Sequence, residues 1–268
     1  MSVLSGLLSL FGTGDHTAAD EAAKGAASSS AAASASPPGS PRRTSAHAAF
    51  RSRCSQRDVE GGIGGSPVRL VVFDVDETLT LVSYMIEEGD SPEVVRELVT
   101  VNFETPWVQG SRISKLRKML AELRDGGPAS PGAVGGSAGR RVLAILSRNG
   151  KGAKAVLRLL QHAGLLEYFC IIWTMPWRAM IPNGAYLDSE GEWQHFDPPI
   201  NTLPDHKADV LASVARDPAA WFPQLAEGAD AGYECLQQLS LEAIVLVDDQ
   251  RANFQSASGA QVLRYCKV

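Results

Sequence analysis

Polar residues able to do chemistry stand at the points where three apolar runs stop. Val68–Phe73 ends in Asp74-Val75-Asp76-Glu77-Thr78, Val142–Leu146 ends in Ser147-Arg148-Asn149, and Ala243–Val247 ends in Asp248-Asp249. If these runs are neighbouring parallel strands, four aspartates converge on one small volume. Two carboxylates about 4 Å apart repel by about 4 kcal/mol at an effective dielectric near 20. A cluster of this kind calls for a cation, and ligation by oxygen alone selects a hard divalent ion, Mg²⁺. A single aspartate after a strand is usually a cap or turn residue. Several of them, in order, across separate segments, are better explained by a shared site.

The elements that must position these residues follow from hydrophobic periodicity. Val68–Phe73, Val142–Leu146, Cys170–Trp173 and Ala243–Val247 are short, continuous apolar runs, the pattern of strands buried on both faces, and Gln261–Tyr265 is expected as a last strand. Arg112–Leu123 has apolar residues at 113, 116, 119, 120 and 123, a helical period. Further helices are expected over Gly152–Ala163, Lys207–Ala215, Tyr233–Leu239 and Ala252–Ser258. Alternating strands and helices predict an α/β fold, a parallel sheet with helices on both faces. In such sheets the chemistry gathers at the carboxyl ends of the strands.

With these residues in view, the chain resembles the haloacid dehalogenase superfamily, in its D-x-D-x-T phosphatase form. Val71–Thr80 is similar to the first motif of that superfamily and Ser147 to the second. Lys207, ahead of a helical run, resembles the third. Ile244–Asp249, with Asn253 four residues on, resembles the fourth. The resemblance covers residues 68–268 and implies a Rossmann-like fold and an Mg²⁺-dependent phosphatase working through an aspartyl-phosphate. It implies Asp74 as nucleophile and Asp76 as general acid and base. Ser147 and Lys207 would hold the phosphoryl group, with Arg148, Asn149 and Gly150 shaping the pocket. The metal would be held by Asp74, the main-chain carbonyl of Asp76 and Asp249, with Asp248 adjacent or bridging through water. Asp249 is favoured as direct ligand because its spacing to Asn253 matches the family pattern. Lys151 and Lys154 compete with Lys207 for the lysine role. Asp76 argues against a dehalogenase, which lacks an acid there. A phosphotransferase of the same superfamily, a non-catalytic phospho-ligand or protein-binding module and a receiver-like domain remain as alternatives.

Substrate choice lies outside these motifs. Residues 81–110 and 175–205 are expected as lid insertions, giving a small or absent cap, and Trp107, Trp177 and Trp193 in them suggest an aromatic rim. Trp173, Trp177 and Trp193 read as core or loop anchors rather than a base-stacking platform, since no basic stripe accompanies them, and His195 and His206 as surface residues rather than substrate contacts. The expected partner is a phosphorylated small molecule or a phosphoprotein. A nucleic-acid partner is not expected: the chain of 268 residues has a net charge of −5, and the acidic excess falls after residue 66.

Residues 1–66 read as a disordered low-complexity tail, rich in Ala, Ser, Gly and Pro, with too little apolar side chain to offset the entropy of ordering. Five arginines and no acid between Arg42 and Arg57 leave a transit peptide as the second reading. Residues 126–140 are expected to form a flexible loop. Cys54, Cys170, Cys235 and Cys266 form no C-x-x-C pair, which argues for reduced thiols rather than a disulfide framework or structural zinc. No apolar run approaches the ~20 residues of a transmembrane segment. An intracellular, cytoplasmic location is expected, or organelle import through the N-terminal segment.

Overall fold

The computed structural model describes residues 68–125, 140–175, 183–197, 199–200, 205–225, 233–258 and 263. The expected tail over 1–66, the loop centred on 126–139, the strand over Gln261–Tyr265, Trp177, Cys54 and Cys266 lie outside them. Cys170 and Cys235 carry free thiols.

The fold is mixed α/β. In chain order come β1 (Leu70–Phe73), α1 (Pro92–Phe103), α2 (Arg112–Asp125), β2 (Val142–Ser147), α3 (Ala153–His162), β3 (Ile171–Thr174), β4 (Gly184–Leu187), β5 (Trp193–His195), α4 (Lys207–Arg216), the single-turn α5 (Pro218–Trp221) and β6 (Ile244–Val247). The six strands form one sheet in the order β5-β4-β3-β2-β1-β6. β6, β1, β2 and β3 are mutually parallel, with Phe73 level with Val247 on one side and Ile145 on the other. β1, β2 and β3 are buried throughout, as their unbroken apolar runs require.

Successive residues of β1 serve different clusters, as the two-residue side-chain period of a strand dictates. Val71 and Phe73 pack with Leu116 and Leu120 of α2 and Val156 and Leu159 of α3, where Val95, Leu98 and Val99 of α1 also rest. Leu70 and Val72 pack with Val210, Leu211 and Val214 of α4 and with Trp221 and Phe222. Trp173 is a core residue of the second cluster, edge-on to Trp221 and Phe222.

Local chemistry sets the helix ends. Ser91 caps α1, accepting from the Val94 amide at 3.4 Å, and Pro92 sits at its first turn. α3 stops at Gly164, whose φ of +62° suits glycine. A Cβ at Gly164 would collide with the Arg117 guanidinium, which donates to the carbonyls of Ala163 and Gly164.

Four expectations are corrected. The sheet is not parallel throughout: β4 and β5 pair antiparallel beyond β3. They lie in the 175–205 stretch expected as a lid, and they extend the sheet instead. Their turn is closed by Asp188, whose carboxylate accepts from the amides of Glu190 and Glu192, with Gly191 at positive φ. Over Tyr233–Leu239 only Glu234–Leu236 is helical, as one 3₁₀ turn. Over Ala252–Ser258 the helix is likewise reduced to a 3₁₀ turn, Arg251–Phe254. Both segments carry too few residues between their polar ends to offset the cost of nucleating an α-helix. Among the described residues, no helix is long and apolar enough to cross a membrane.

Candidate metal centre

β1 delivers Asp74 to the middle of the sheet's carboxyl edge, where its amide donates to the Val247 carbonyl of β6 at 2.9 Å. That bond brings Asp74 level with Asp248. From the first residue of α4, Lys207 reaches into the same space and lies 2.7 Å from Asp74 Oδ1 and 2.7 Å from Asp248 Oδ2. All three side chains are buried, Lys207 to 1% exposure. The Asp248 contact is a hydrogen bond. The Asp74 contact is an ion pair of the same length. Asp249 is half-buried beside them, and Thr78 Oγ1 approaches its Oδ1 at 3.5 Å. One carboxylate oxygen from each of Asp74, Asp248 and Asp249 lies within 4.8 Å of the others.

The charges in this cluster do not balance. The Asp74 carboxyl is raised to about 7, the net of burial pushing it up, Lys207 pulling it down and Asp248 pushing it up. Asp249 is also raised, by burial and then by Asp248. Three carboxylates against one ammonium leave an excess of negative charge in a buried place, and every donor is oxygen. That donor set fits a metal ion.

The two aspartates at the end of β6 have different surroundings. Asp248 is saturated: it accepts from the Gln250 amide at 2.8 Å and from Asn253 Nδ2 at 2.8 and 2.9 Å, besides Lys207. Asn253 therefore serves Asp248, and its spacing gives no reason to single out Asp249 as a ligand. Asp249 is less engaged: among the described residues its side chain takes a hydrogen bond only from Thr78.

Asp76 does not share the direction of Asp74. After Asp74 the chain leaves the strand and makes a tight turn, with Glu77 at φ +57° and both the Thr80 amide and the Thr80 hydroxyl donating to the Val75 carbonyl. A glutamate in the left-handed region costs of order 1 kcal/mol or more and is retained only where its surroundings enforce it. The turn swings the Asp76 carboxylate toward β2, where it accepts from Ser147 Oγ at 3.4 Å and Asn149 Nδ2 at 3.3 Å. Asn149 Oδ1 accepts from the Lys151 amide at 2.9 Å, which folds the loop after β2 around Ser147 and Asp76. Arg148 is exposed and donates to the Asp205 carbonyl at 2.6 Å.

Of the other lysines, Lys151 pairs with Glu87 and Lys154 with Glu88, both in solvent. Only Lys207 of the three reaches the carboxylates. His206 precedes α4 without capping it, and the His195 ring lies 3.3 Å from the Gly184 carbonyl. Trp107 is 89% exposed and Trp193 half-buried.

Arg112 is a site-supporting residue that sequence reading missed. Its buried guanidinium donates to the carbonyls of Leu79 at 2.7 Å and Thr78 at 3.4 Å, bracing the turn from behind. Burial lowers its pKa to about 10 against the pull of Glu104. The Glu104 carboxylate in turn accepts from Ser111 Oγ and the amides of Arg112 and Ile113 at the start of α2. The one signal in the sequence was a long cation at the head of an otherwise amphipathic helix. No protein-family model, curated protein or solved structure matches this chain.

Proposed function

We propose that the chain is an Mg²⁺-dependent phosphatase of the haloacid dehalogenase type, hydrolysing a phosphomonoester through an aspartyl-phosphate. The observation that carries this reading is Lys207, bridging Asp74 and Asp248 at 2.7 Å each inside a three-carboxylate cluster, with Ser147 one strand away. The alternate sharing of β1 residues between two clusters, one with α1–α3 and one with α4 and α5, supports a Rossmann-like sheet with helices on both faces.

In this reading Asp74, centred on the sheet edge, attacks phosphorus; its Oδ–P bond forms as the ester O–P bond breaks. Asp76 gives the departing oxygen its proton, then takes a proton from the water that attacks the aspartyl-phosphate and returns Asp74. The turn at Glu77 suits this division, because it sets the second carboxylate beside Ser147 and Asn149 instead of among the ligands. Ser147 donates to a phosphoryl oxygen, Arg148 and Asn149 line the pocket and Lys207 offsets charge between nucleophile and phosphate. Asp74, Asp249 and the Asp76 carbonyl would hold Mg²⁺, which supplies charge neutralisation for the phosphoryl oxygens. Asp248, its lone pairs already engaged, keeps Lys207 in place. The substrate is a phosphorylated small molecule or a phosphoprotein, met inside the cell.

The test is release of p-nitrophenol from p-nitrophenyl phosphate by purified protein in Mg²⁺. Turnover should stop with EDTA and be lost in Asp74→Asn while the circular dichroism spectrum is kept. An Asp74→Asn protein as active as wild type would end the proposal.

A further inference from the structure

Thr174 is the last residue of β3, level with Ser147 at the end of β2. Aligned residues of parallel strands project from the same face about 4.8 Å apart, so the two hydroxyl-bearing side chains are neighbours on the sheet's carboxyl edge. Thr174 is fully buried, and its Oγ1 has no hydrogen-bond partner among the described residues. Buried hydroxyls are almost always paired, because water's bonds are otherwise lost without return. Valine would fill the same place in a strand without that cost, so packing gives no reason for the hydroxyl. Ser147, beside it, accepts from the Asn149 amide at 3.1 Å and donates to Asp76 only at 3.4 Å, a long bond that a better acceptor would replace.

We infer that Thr174 is a positioning residue for the oxyanion hydroxyl of Ser147. When the Ser147 proton turns from Asp76 to a phosphoryl oxygen, the serine keeps one lone pair beyond the Asn149 amide, and the Thr174 hydroxyl donates to it. Ser147 is then held from both sides in the rotamer that faces the anion. The inference rests on the phosphatase reading for the anion's identity.

The test compares wild type, Thr174→Ser and Thr174→Val in the Mg²⁺-loaded full chain, using p-nitrophenyl phosphate turnover, calorimetric binding of inorganic phosphate, and Tm. Thr174→Val should lose about five- to tenfold in kcat/KM and bind phosphate about five- to tenfold more weakly, the worth of one such bond. Its Tm should be equal or higher, since an unpaired buried hydroxyl has gone. Thr174→Ser should stay within about twofold of wild type. A Thr174→Val protein matching wild type in both turnover and binding would overturn the inference. So would a loss accompanied by a lower Tm and shared by Thr174→Ser, which is the mark of packing. If wild type hydrolyses nothing, the phosphatase reading fails, and phosphate binding alone decides Thr174: wild type that binds no phosphate, or equal binding by the valine variant, overturns it.

Discussion

Lys207 lies 2.7 Å from Asp74 and from Asp248 with all three side chains buried, whereas Lys154 lies 3.1 Å from Glu88 with both largely in solvent. Lys151 and Glu87 are a further pair of the second kind, and Arg158, 23% exposed, also reaches Glu88, so that these contacts tie the 82–91 segment to α3 and the residues before it. The separations are alike and the physics is not. At the surface, desolvation is small and solvent screens the attraction, so such pairs contribute little. In the core, taking three charges out of water costs several kcal/mol per ion before attraction offsets it, and apolar residues would stabilise the fold at least as well. A buried cluster with more carboxylates than cations is therefore a poor stabilising device and a good place to hold a cation.

The sharpest way to break that contrast is to remove each lysine. Lys207→Met strands two buried carboxylates and should cost about 3–5 kcal/mol in urea unfolding at neutral pH, with turnover lost. Lys151→Met should leave the urea midpoint within measurement error. Comparable losses from the two would dissolve the distinction.

The next largest effect concerns the unbalanced charge itself. Mg²⁺ should raise the Tm of wild type, and a concentration 100-fold above its dissociation constant would add about 2.7 kcal/mol. Asp249→Asn should blunt that rise while leaving the Tm without metal equal or higher, because it removes like charge from the cluster. An unchanged response to Mg²⁺ in Asp249→Asn would remove Asp249 from the ligand set.

Glu104 lies between the two extremes. Burial raises its pKa, but bonds from the Ser111 hydroxyl and the Arg112 and Ile113 amides outweigh that and hold it below the ordinary 4.5. A lowered carboxyl pKa gives stability that is present above 4.5 and is lost as pH falls through the folded value. Glu104→Gln should cost about 1 kcal/mol at pH 7, with wild type and variant converging as the pH drops below that range. Urea midpoints across pH would show it, and parallel curves would refute it.

The smallest effect is at the surface. Glu88→Gln should shift the unfolding midpoint slightly at low salt and not at all in about 1 M salt, where the screening length falls to about 3 Å. A shift that survives high salt would mean that the 82–91 segment is held by more than screened charge.

Much of the frame could be read without coordinates. Continuous apolar runs announced β1, β2, β3 and β6, since a strand buried on both faces has no polar positions to spare, and the period over Arg112–Leu123 announced α2. The placing of aspartates after β1 and β6 followed from the same runs. The β4–β5 hairpin was not legible, because its short, mixed-polarity strands are stabilised by pairing with β3 rather than by any pattern of their own.

The chain's own order of residues determined which groups would arrive at the carboxyl edge, because strand ends are set by local hydrophobicity. Only the tertiary structure decided how they divide the work. Lys207 was one of three candidates until the packing of α4 buried it between Asp74 and Asp248. Asn253 was counted with Asp249 until the turn after β6 gave it to Asp248. Arg112 and Glu104 had no visible role until the folded chain set Arg112 against the Asp74–Thr80 turn and Glu104 against the amide of Arg112. Burial and direction are properties of the assembled core, and neither is encoded at the position of a single residue.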